Sequence, residues 1–430
     1  MKIIPLYIGA EAAQWLANCG QSQISKESVG TQEALQDTVA KIISLVQAEG
    51  DTGIAQLAER FGDTVLSPVM VRADDIESVK RRLSAETRNT IDVAATRIRR
   101  FAEAVMEPMR SIAVSYETFA TGLDFRPISR VACYVPSGRY PLASTALMTA
   151  ITAKVSGVTE VCIFSPKLTD EILYAGIVSG VTEFYQIGGA QAIAAAVYGT
   201  ETVKPVAMIV GPGNAYVTEA KRQLQGQIAI DMLAGPSEIC IIADGGGNAH
   251  WLALDLCSQA EHDPDARAYL LTDNAALAAK VLAELPAVCN QLNLPDFIGE
   301  SLAQSAILVL PDMEACIAAA NTIAPEHLQL HVAKPEEIQP HLLNYGALLI
   351  GYNATVSNGD YVAGPNHTLP TDRSARHTGA LTPLSFLRAQ TWVKVSASAS
   401  DLHKETEAFA ILEGLTAHGA APRARYLHNQ

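Results

Sequence analysis

Apolar positions change period along the chain. From Ser84 to Met106, Ile91, Ala94, Ala95, Ile98, Phe101, Ala102 and Val105 recur every three or four residues. Arg97, Arg99, Arg100 and Glu103 lie mostly off that stripe, the pattern of an amphipathic helix. Pro108 ends it, since proline cannot continue the hydrogen-bond ladder. The first 110 residues read as helical, and the arginine run reads as a solvated helix face, a ligand site being the alternative.

From about residue 129 short apolar runs alternate with helical segments. Val131 to Val135, Val158 to Phe164, Glu183 to Ile187 and Val206 to Val210 read as buried strands. Ser144 to Val155, Asp170 to Val178 and Ala190 to Tyr198 read as the helices between them. A second series follows with strands at Glu238 to Ala243, Ala268 to Leu271, Ala306 to Leu310 and Ala347 to Ile350. Strand–helix alternation with short loops implies right-handed crossovers and mostly parallel sheets, hence two α/β layers. Residues 352 to 378 break the rhythm with a long polar loop, of a length that is functional or disordered. Asp401 to His418 reads as a C-terminal helix. Neither end resembles a complete domain, which suggests packing on a partner subunit.

Composition narrows the class. At roughly 150 residues per domain, 430 residues predict two to four domains. The chain is 49% hydrophobic and 18% charged, too apolar for extensive disorder. Its net charge of −14 opposes nucleic-acid and anionic-membrane binding. Seven cysteines without a C-x-x-C argue against a disulfide framework or thiolate zinc site and for a reducing, cytoplasmic compartment. No apolar run is long enough to span a membrane, and Glu11 interrupts any signal-peptide core.

Several clusters bear chemistry. Gly211-Pro212-Gly213-Asn214 joins a strand to a helix, as an anion-binding loop does, although Tyr216 stands where a third fingerprint glycine belongs. Asp231 lies near the spacing of a ribose-binding acid; a plain tight turn is the alternative. Gly188-Gly189-Ala190-Gln191 is a second such turn. If Leu254 to His262 is helical, Gln259 and His262 share a face and begin a metal site, or His262 merely caps the helix end. Glu326 and His327 offer a carboxylate and an imidazole for proton transfer, or are two exposed polar residues starting a strand. Asp360 and His367 in the long loop, with Glu413 and His418 near the end, supply oxygen and nitrogen donors suited to catalytic zinc. No G-x-S-x-G elbow favours nucleophilic hydrolysis.

The segments YVPSGRYPLASTALM, GGAQAIAA, GPGNAYVTEAKRQL, IDMLAGPSE, LCSQAEHDPD, IAPEHLQL, GDYVAGPNHTLPT and EGLTAH stand in the order seen in histidinol dehydrogenases, which the chain resembles from about residue 30 to 420. That resemblance implies four-electron oxidation of L-histidinol through L-histidinal to L-histidine with two NAD. It implies zinc held by Gln259, His262, Asp360 and His418, with His327 as base and Glu326 activating water. Ser237, His367 and Glu413 match further substrate-contacting positions, beside His327 and the four metal positions; Tyr134, Gln191 and Asn214 match NAD-contacting ones. It implies a homodimer whose Glu413 and His418 enter the partner's site.

The expected organisation is an N-terminal helical arm (1–28) and a first α/β domain from 29–130 and 236–380 that carries most catalytic residues. A second, NAD-binding α/β domain (131–235) and a C-terminal segment (381–430) complete it, the small terminal segments being swapped in the dimer. Ser137 replaces a usual glycine, Leu233 a common proline, and Gly245-Gly246-Gly247 is an unusual run. These departures and Arg139 leave open a paralogue oxidising another small alcohol, such as a sulfonated diol; a non-catalytic metal or nucleotide binder on the same scaffold is the alternative from another class.

Overall fold

Isoleucine-, valine- and leucine-rich runs such as Ile239-Cys240-Ile241-Ile242 have no polar alternation, so their strands must be covered on both faces. A computed structural model, which describes residues 4–19, 26–62, 73–137 and 141–428, shows how. One sheet has six parallel strands in the order Leu6–Ile8, Ala306–Val309, Arg267–Thr272, Glu238–Ala243, His327–His331 and Ala347–Ile350. The other has five, ordered Glu183–Tyr185, Glu160–Phe164, Arg130–Tyr134, Met208–Val210 and Ala229–Ile230, also parallel. In each, the chain builds outward from a central strand and then crosses to that strand's other side. The reversal lies between Glu238–Ala243 and His327–His331 in the first sheet, and between Arg130–Tyr134 and Met208–Val210 in the second. The expected pair of Rossmann-like layers is present.

Three expectations need correction. The helices Lys26–Phe61 and Ala85–Met106 cover the five-stranded sheet and not the six-stranded one. Val39, Ile42 and Leu57 pack with Ala132 and Ile193 on one face, and Ile91, Ala95 and Ile98 with Val131 and Ile151 on the other. Their apolar stripes announced that they were buried but not against which sheet, so 29–130 belongs with 131–235 in packing. The N-terminal arm is not wholly helical: Leu6–Ile8 adds an edge strand to the six-stranded sheet. The following helix, Ala10–Cys19, sets Trp15 edge-on to Tyr269 at 5.3 Å. Third, the C-terminal helix is two helices, Ser400–Leu412 and Thr416–His428, separated at Gly414, whose φ of 74° is left-handed. Buried Glu407 accepts the Tyr426 hydroxyl at 2.6 Å and pairs with Arg423, locking this hairpin.

An antiparallel sheet of Ile112–Ser115, Phe119–Pro127 and Leu387–Val395 was not foreseen. Its strands are half-buried or exposed along their length, so no alternation marks them. Gly122 is required there: a Cβ would meet the Trp392 ring at 2.2 Å. Among the described residues no helix is long and apolar enough to cross a membrane.

Arg130 opens the central strand of the five-stranded sheet. Its buried guanidinium binds Glu183 at 2.6 Å and Glu160 at 2.7 Å. Arg130→Met strands the Glu183 carboxylate and should cost on the order of 3 kcal/mol in urea unfolding at neutral pH. The Arg130 hydrogen bond holds the Glu183 carboxyl below its ordinary range. Its contribution is therefore full above the ordinary carboxylate pKa and is lost as pH falls through the depressed one, so the variant's deficit should shrink in acid.

Candidate active site

Ionisable side chains gather at the amino ends of the two strands that flank the reversal of the six-stranded sheet. Glu326 immediately precedes strand His327–His331, and Glu238 opens its neighbour. Glu326 and His327 are 7% and 5% exposed, which removes the reading of two solvated polar residues. The backbone of Glu238 serves both. Its N–H donates to Glu326 Oε2 at 2.8 Å, and its carbonyl faces His327 Nδ1 at 3.3 Å. The other ring nitrogen, His327 Nε2, lies 3.1 Å from Asp360 Oδ1, and Glu326 Oε2 is 3.6 Å from Nδ1. With both nitrogens facing acceptors, the ring carries two protons in this arrangement.

Burial and charge act together on this group. Burial pushes the Glu326 carboxyl up to about 7, against the pull of His327 and the Glu238 N–H. Burial would lower His327, but the Glu326 charge and the Asp360 hydrogen bond raise it to about 9. Burial also opposes ionisation of Asp360, yet the bond and charge of His327, with smaller help from His367 and His262, hold it below the usual carboxylate range. Glu238 is a second buried carboxyl, raised by burial to about 7 despite Arg267. A carboxyl brought up to neutrality beside an imidazole held above it is suited to moving protons.

Asp360 is delivered by the long loop. Residues Asn358–Val362 form a π-turn, a feature frequent at functional sites. Just beyond it Asn366 is buried and donates to Met148 O at 2.7 Å, on the helix Ala143–Val155 over the five-stranded sheet. His367 Nδ1 faces Asp360 O at 2.8 Å and Nε2 faces Thr145 Oγ1 at 3.2 Å, which fits a neutral ring. Its pKa is lowered, chiefly by burial. The loop thus ties one α/β unit to the other across the site.

Helix Ala249–Ala260 brings Gln259, and His262 follows two residues past its end, not within it as expected. Gln259 is 1% exposed and its Oε1 has no hydrogen-bond partner. An orphaned buried carbonyl costs roughly 1–3 kcal/mol, so an electropositive partner belongs there. One turn earlier, buried Asp255 accepts from Gln329 at 2.7 Å and Thr355 at 3.0 Å, fastening this helix to the central strand and the loop. Glu413 and His418 lie elsewhere: they line a groove of the C-terminal hairpin with Phe409 and Leu415. Among the described residues no three His, Cys, Asp or Glu side chains of one chain can together hold a metal.

A second constellation sits at the carboxyl ends of the five-stranded sheet, at its reversal. Tyr134 ends one central strand, and its hydroxyl accepts the Gly189 N–H at 3.1 Å. Gln191 lies in the first turn of helix Gly189–Tyr198. Asn214 caps helix Ala215–Leu224, accepting from the Tyr216 and Val217 amides at 3.1 Å each. A crevice at such a reversal is where open parallel sheets take ligands. Asp231 does not serve as a ribose acid here: its side chain is 1% exposed and pairs with Lys221 at 2.6 Å.

A model of the family described as histidinol dehydrogenase matches residues 25–426. The chain belongs to the histidinol dehydrogenase family. It is 40% identical to the histidinol dehydrogenase of Cereibacter sphaeroides over 90% of this chain and 91% of that one. It is 37% identical to that of Aquifex aeolicus over 96% and 97%. The crystal structure of histidinol dehydrogenase from Elizabethkingia anophelis matches with a TM-score of 0.91 and 32% identity, covering 98% of both chains.

Within this histidinol dehydrogenase fold, Glu326, His327, Asp360 and His367 come together, with Glu238 beside them. Ser237 stands at the edge of this group, its carbonyl accepting the Arg267 N–H. The sequence reading missed Glu238 and Asp255, because it sought side chains that meet substrate and not groups that hold those side chains. The departures also acquire roles. Ser137 Oγ accepts the Lys167 N–H at 2.8 Å and the Ser165 hydroxyl at 3.0 Å, stitching two strand-end loops together. The glycine run admits Tyr352, whose hydroxyl would crowd a Cβ at Gly246 and which donates to Asp244 at 2.7 Å. Leu233 is partly exposed, and nothing in the structure gives it a role. Gly138 and Arg139 lie outside the described residues.

Asn366→Ala removes the anchor of the long loop. It should cost about 1–3 kcal/mol and speed amide exchange across Asn358–Val362, measured by hydrogen–deuterium exchange with mass spectrometry.

Proposed function

We infer that the chain oxidises L-histidinol to L-histidinal and then to L-histidine, with NAD as hydride acceptor and zinc as cofactor. The buried, mutually bonded group Glu326–His327–Asp360 in a chain of this family carries the reading. Gln259 Oε1, Asp360 and His262 form a hard oxygen and nitrogen donor set that fits zinc, and the orphaned Gln259 oxygen is the observation that favours it. His418 of a second copy would complete the set and Glu413 would accompany it, since neither joins the site of its own chain. The exposed apolar side chains around them, Phe409, Ile411 and Leu412, support a homodimer. Free cysteines, six of them buried, suit the cytoplasm.

When bound, zinc supplies a Lewis-acidic template for substrate nitrogens, and NAD accepts the hydrides. The protein's own residues handle the rest. Glu238 O keeps the Nδ1 proton of His327 in place. In the neutral ring, with the Nε2 proton released to solvent beforehand, Nε2 is free to take the proton of the substrate hydroxyl. Glu326, with a carboxyl near neutrality, removes a proton from the water that hydrates the aldehyde, so that a second hydride can leave. Ser237 and His367, with Glu413 of the partner, would contact substrate. Tyr134, Gln191 and Asn214 would flank NAD.

The deciding experiment counts NADH formed per L-histidinol consumed. Two are expected, abolished by chelation and restored by zinc. Good turnover of a sulfonated or other alcohol with none of histidinol would overturn the substrate. Glu326→Gln should slow hydration-dependent oxidation of histidinal by about 10²–10⁴-fold while sparing the first hydride transfer, as separate single-turnover assays with each substrate would show.

Shared sites predict complementation. His262→Ala and His418→Ala are each expected to be inactive, yet their mixed dimers contain one intact site. Co-expression should restore about a quarter of wild-type activity. A mixture that stays inactive, with hybrid dimers demonstrated by mass spectrometry, would place both residues in one chain's site.

A further inference from the structure

The acid that sequence spacing nominated for the ribose is occupied otherwise. Asp231 and Lys221 form an ion pair at 2.6 Å with side chains 1% and 3% exposed. Both also hold the backbone of one residue, Gly211. Asp231 Oδ2 accepts the Gly211 N–H at 2.6 Å, and Lys221 Nζ donates to Gly211 O at 2.6 Å. Asp231 Oδ1 further accepts the Met232 N–H at 2.7 Å. Every charge in the cluster is therefore matched by a partner close by, as burial demands. Neither group is left to bind phosphate or ribose.

Gly211 is the place where such a grip matters. It is the first residue past strand Met208–Val210, and its φ is 110°. A Cβ there would lie 2.1 Å from Tyr134 O, so the two central strand ends touch backbone to backbone. Three residues on, Asn214 caps the next helix, and Lys221 stands on that helix. The pair ties strand end, turn and helix into one unit around the sheet reversal. A glycine with this freedom would otherwise let the turn swing, because nothing but its hydrogen bonds restricts its dihedrals.

We propose that Lys221 and Asp231 are positioning residues for the dinucleotide: by holding both polar groups of Gly211 they aim the Gly211–Asn214 turn at bound NAD. This rests on the reading that NAD occupies the carboxyl-end crevice. Loss of either partner frees the turn and leaves the other charge buried and unmatched, so the effect falls on cofactor binding and not on proton transfer at Glu326 and His327.

The test uses the full-length zinc-loaded protein. NADH is titrated by fluorescence, and KM for NAD, KM for L-histidinol and kcat are measured for wild type, Asp231→Asn, Lys221→Gln and Lys221→Met. Wild type should bind NADH. The variants should weaken NADH binding and raise KM for NAD about tenfold or more, which is about 1.4 kcal/mol. Their kcat at saturating NAD and KM for L-histidinol should stay within about twofold, that is, within about 0.4 kcal/mol. Variants that bind NADH as wild type does would overturn the assignment. So would an equal loss in both substrates and kcat, the mark of a merely structural pair. If Lys221→Met does not fold, the near-isosteric Asp231→Asn decides. Absence of NADH binding by wild type refutes the NAD reading itself, and the positioning role falls with it.

Discussion

The backbone of one residue organises the chemistry. The N–H of Glu238 orders a carboxylate and its carbonyl orders an imidazole, and both side chains belong to the adjacent strand. Sheet register makes this possible, because His327 pairs with Ile239 and so leaves Glu238 and Glu326 facing at the strand entrances. Parallel pairing holds that register over five residues, so the alignment of Glu326 and His327 is a property of the core and not of a mobile loop. Burial then does the tuning. The same desolvation that would expel an isolated charge is offset by neighbours, which leaves the carboxyl near neutrality and the ring above it.

The two sheets present opposite ends to the site. The six-stranded sheet offers the amino ends of the strands at its reversal, and the five-stranded sheet the carboxyl ends at its own. Helix Ala143–Val155 starts from the carboxyl side of the latter and brings Thr145 to His367, so the two ends face each other. This division fits the work proposed for each. Buried acids and bases serve proton transfer, while strand-end turns and helix N-termini serve an anionic dinucleotide.

Much of this was legible in the chain. Strands Glu238–Ala243 and Ala347–Ile350 and helix Asp170–Val178 have the bounds their apolar runs suggested. Glu326, His327, Asp360 and His367 could be singled out because their chemistry is concentrated in short segments. Other features were hidden for physical reasons. His327–His331 reads as polar, yet is buried throughout, because Gln329 pairs with Asp255 and not with water. The antiparallel sheet lacks a covered face and so leaves no alternation. Asp231 looked like a ligand by spacing alone, and only packing shows that Lys221 has claimed it. That Glu413 and His418 lie apart from their own site was implied by the family resemblance and not by spacing, since it is a matter of where a hairpin turns at Gly414.

The tether formed by residues 352–378 has a mechanical consequence. Asp360 and His367 sit on it, and Asn366 nails it to the opposite unit through a buried amide. A hinge that parted the two sheets would have to pull that amide out of its socket and expose the carbonyl it satisfies. Parting the two units therefore costs at least this buried hydrogen bond, and the tether that carries Asp360 and His367 works against a hinge.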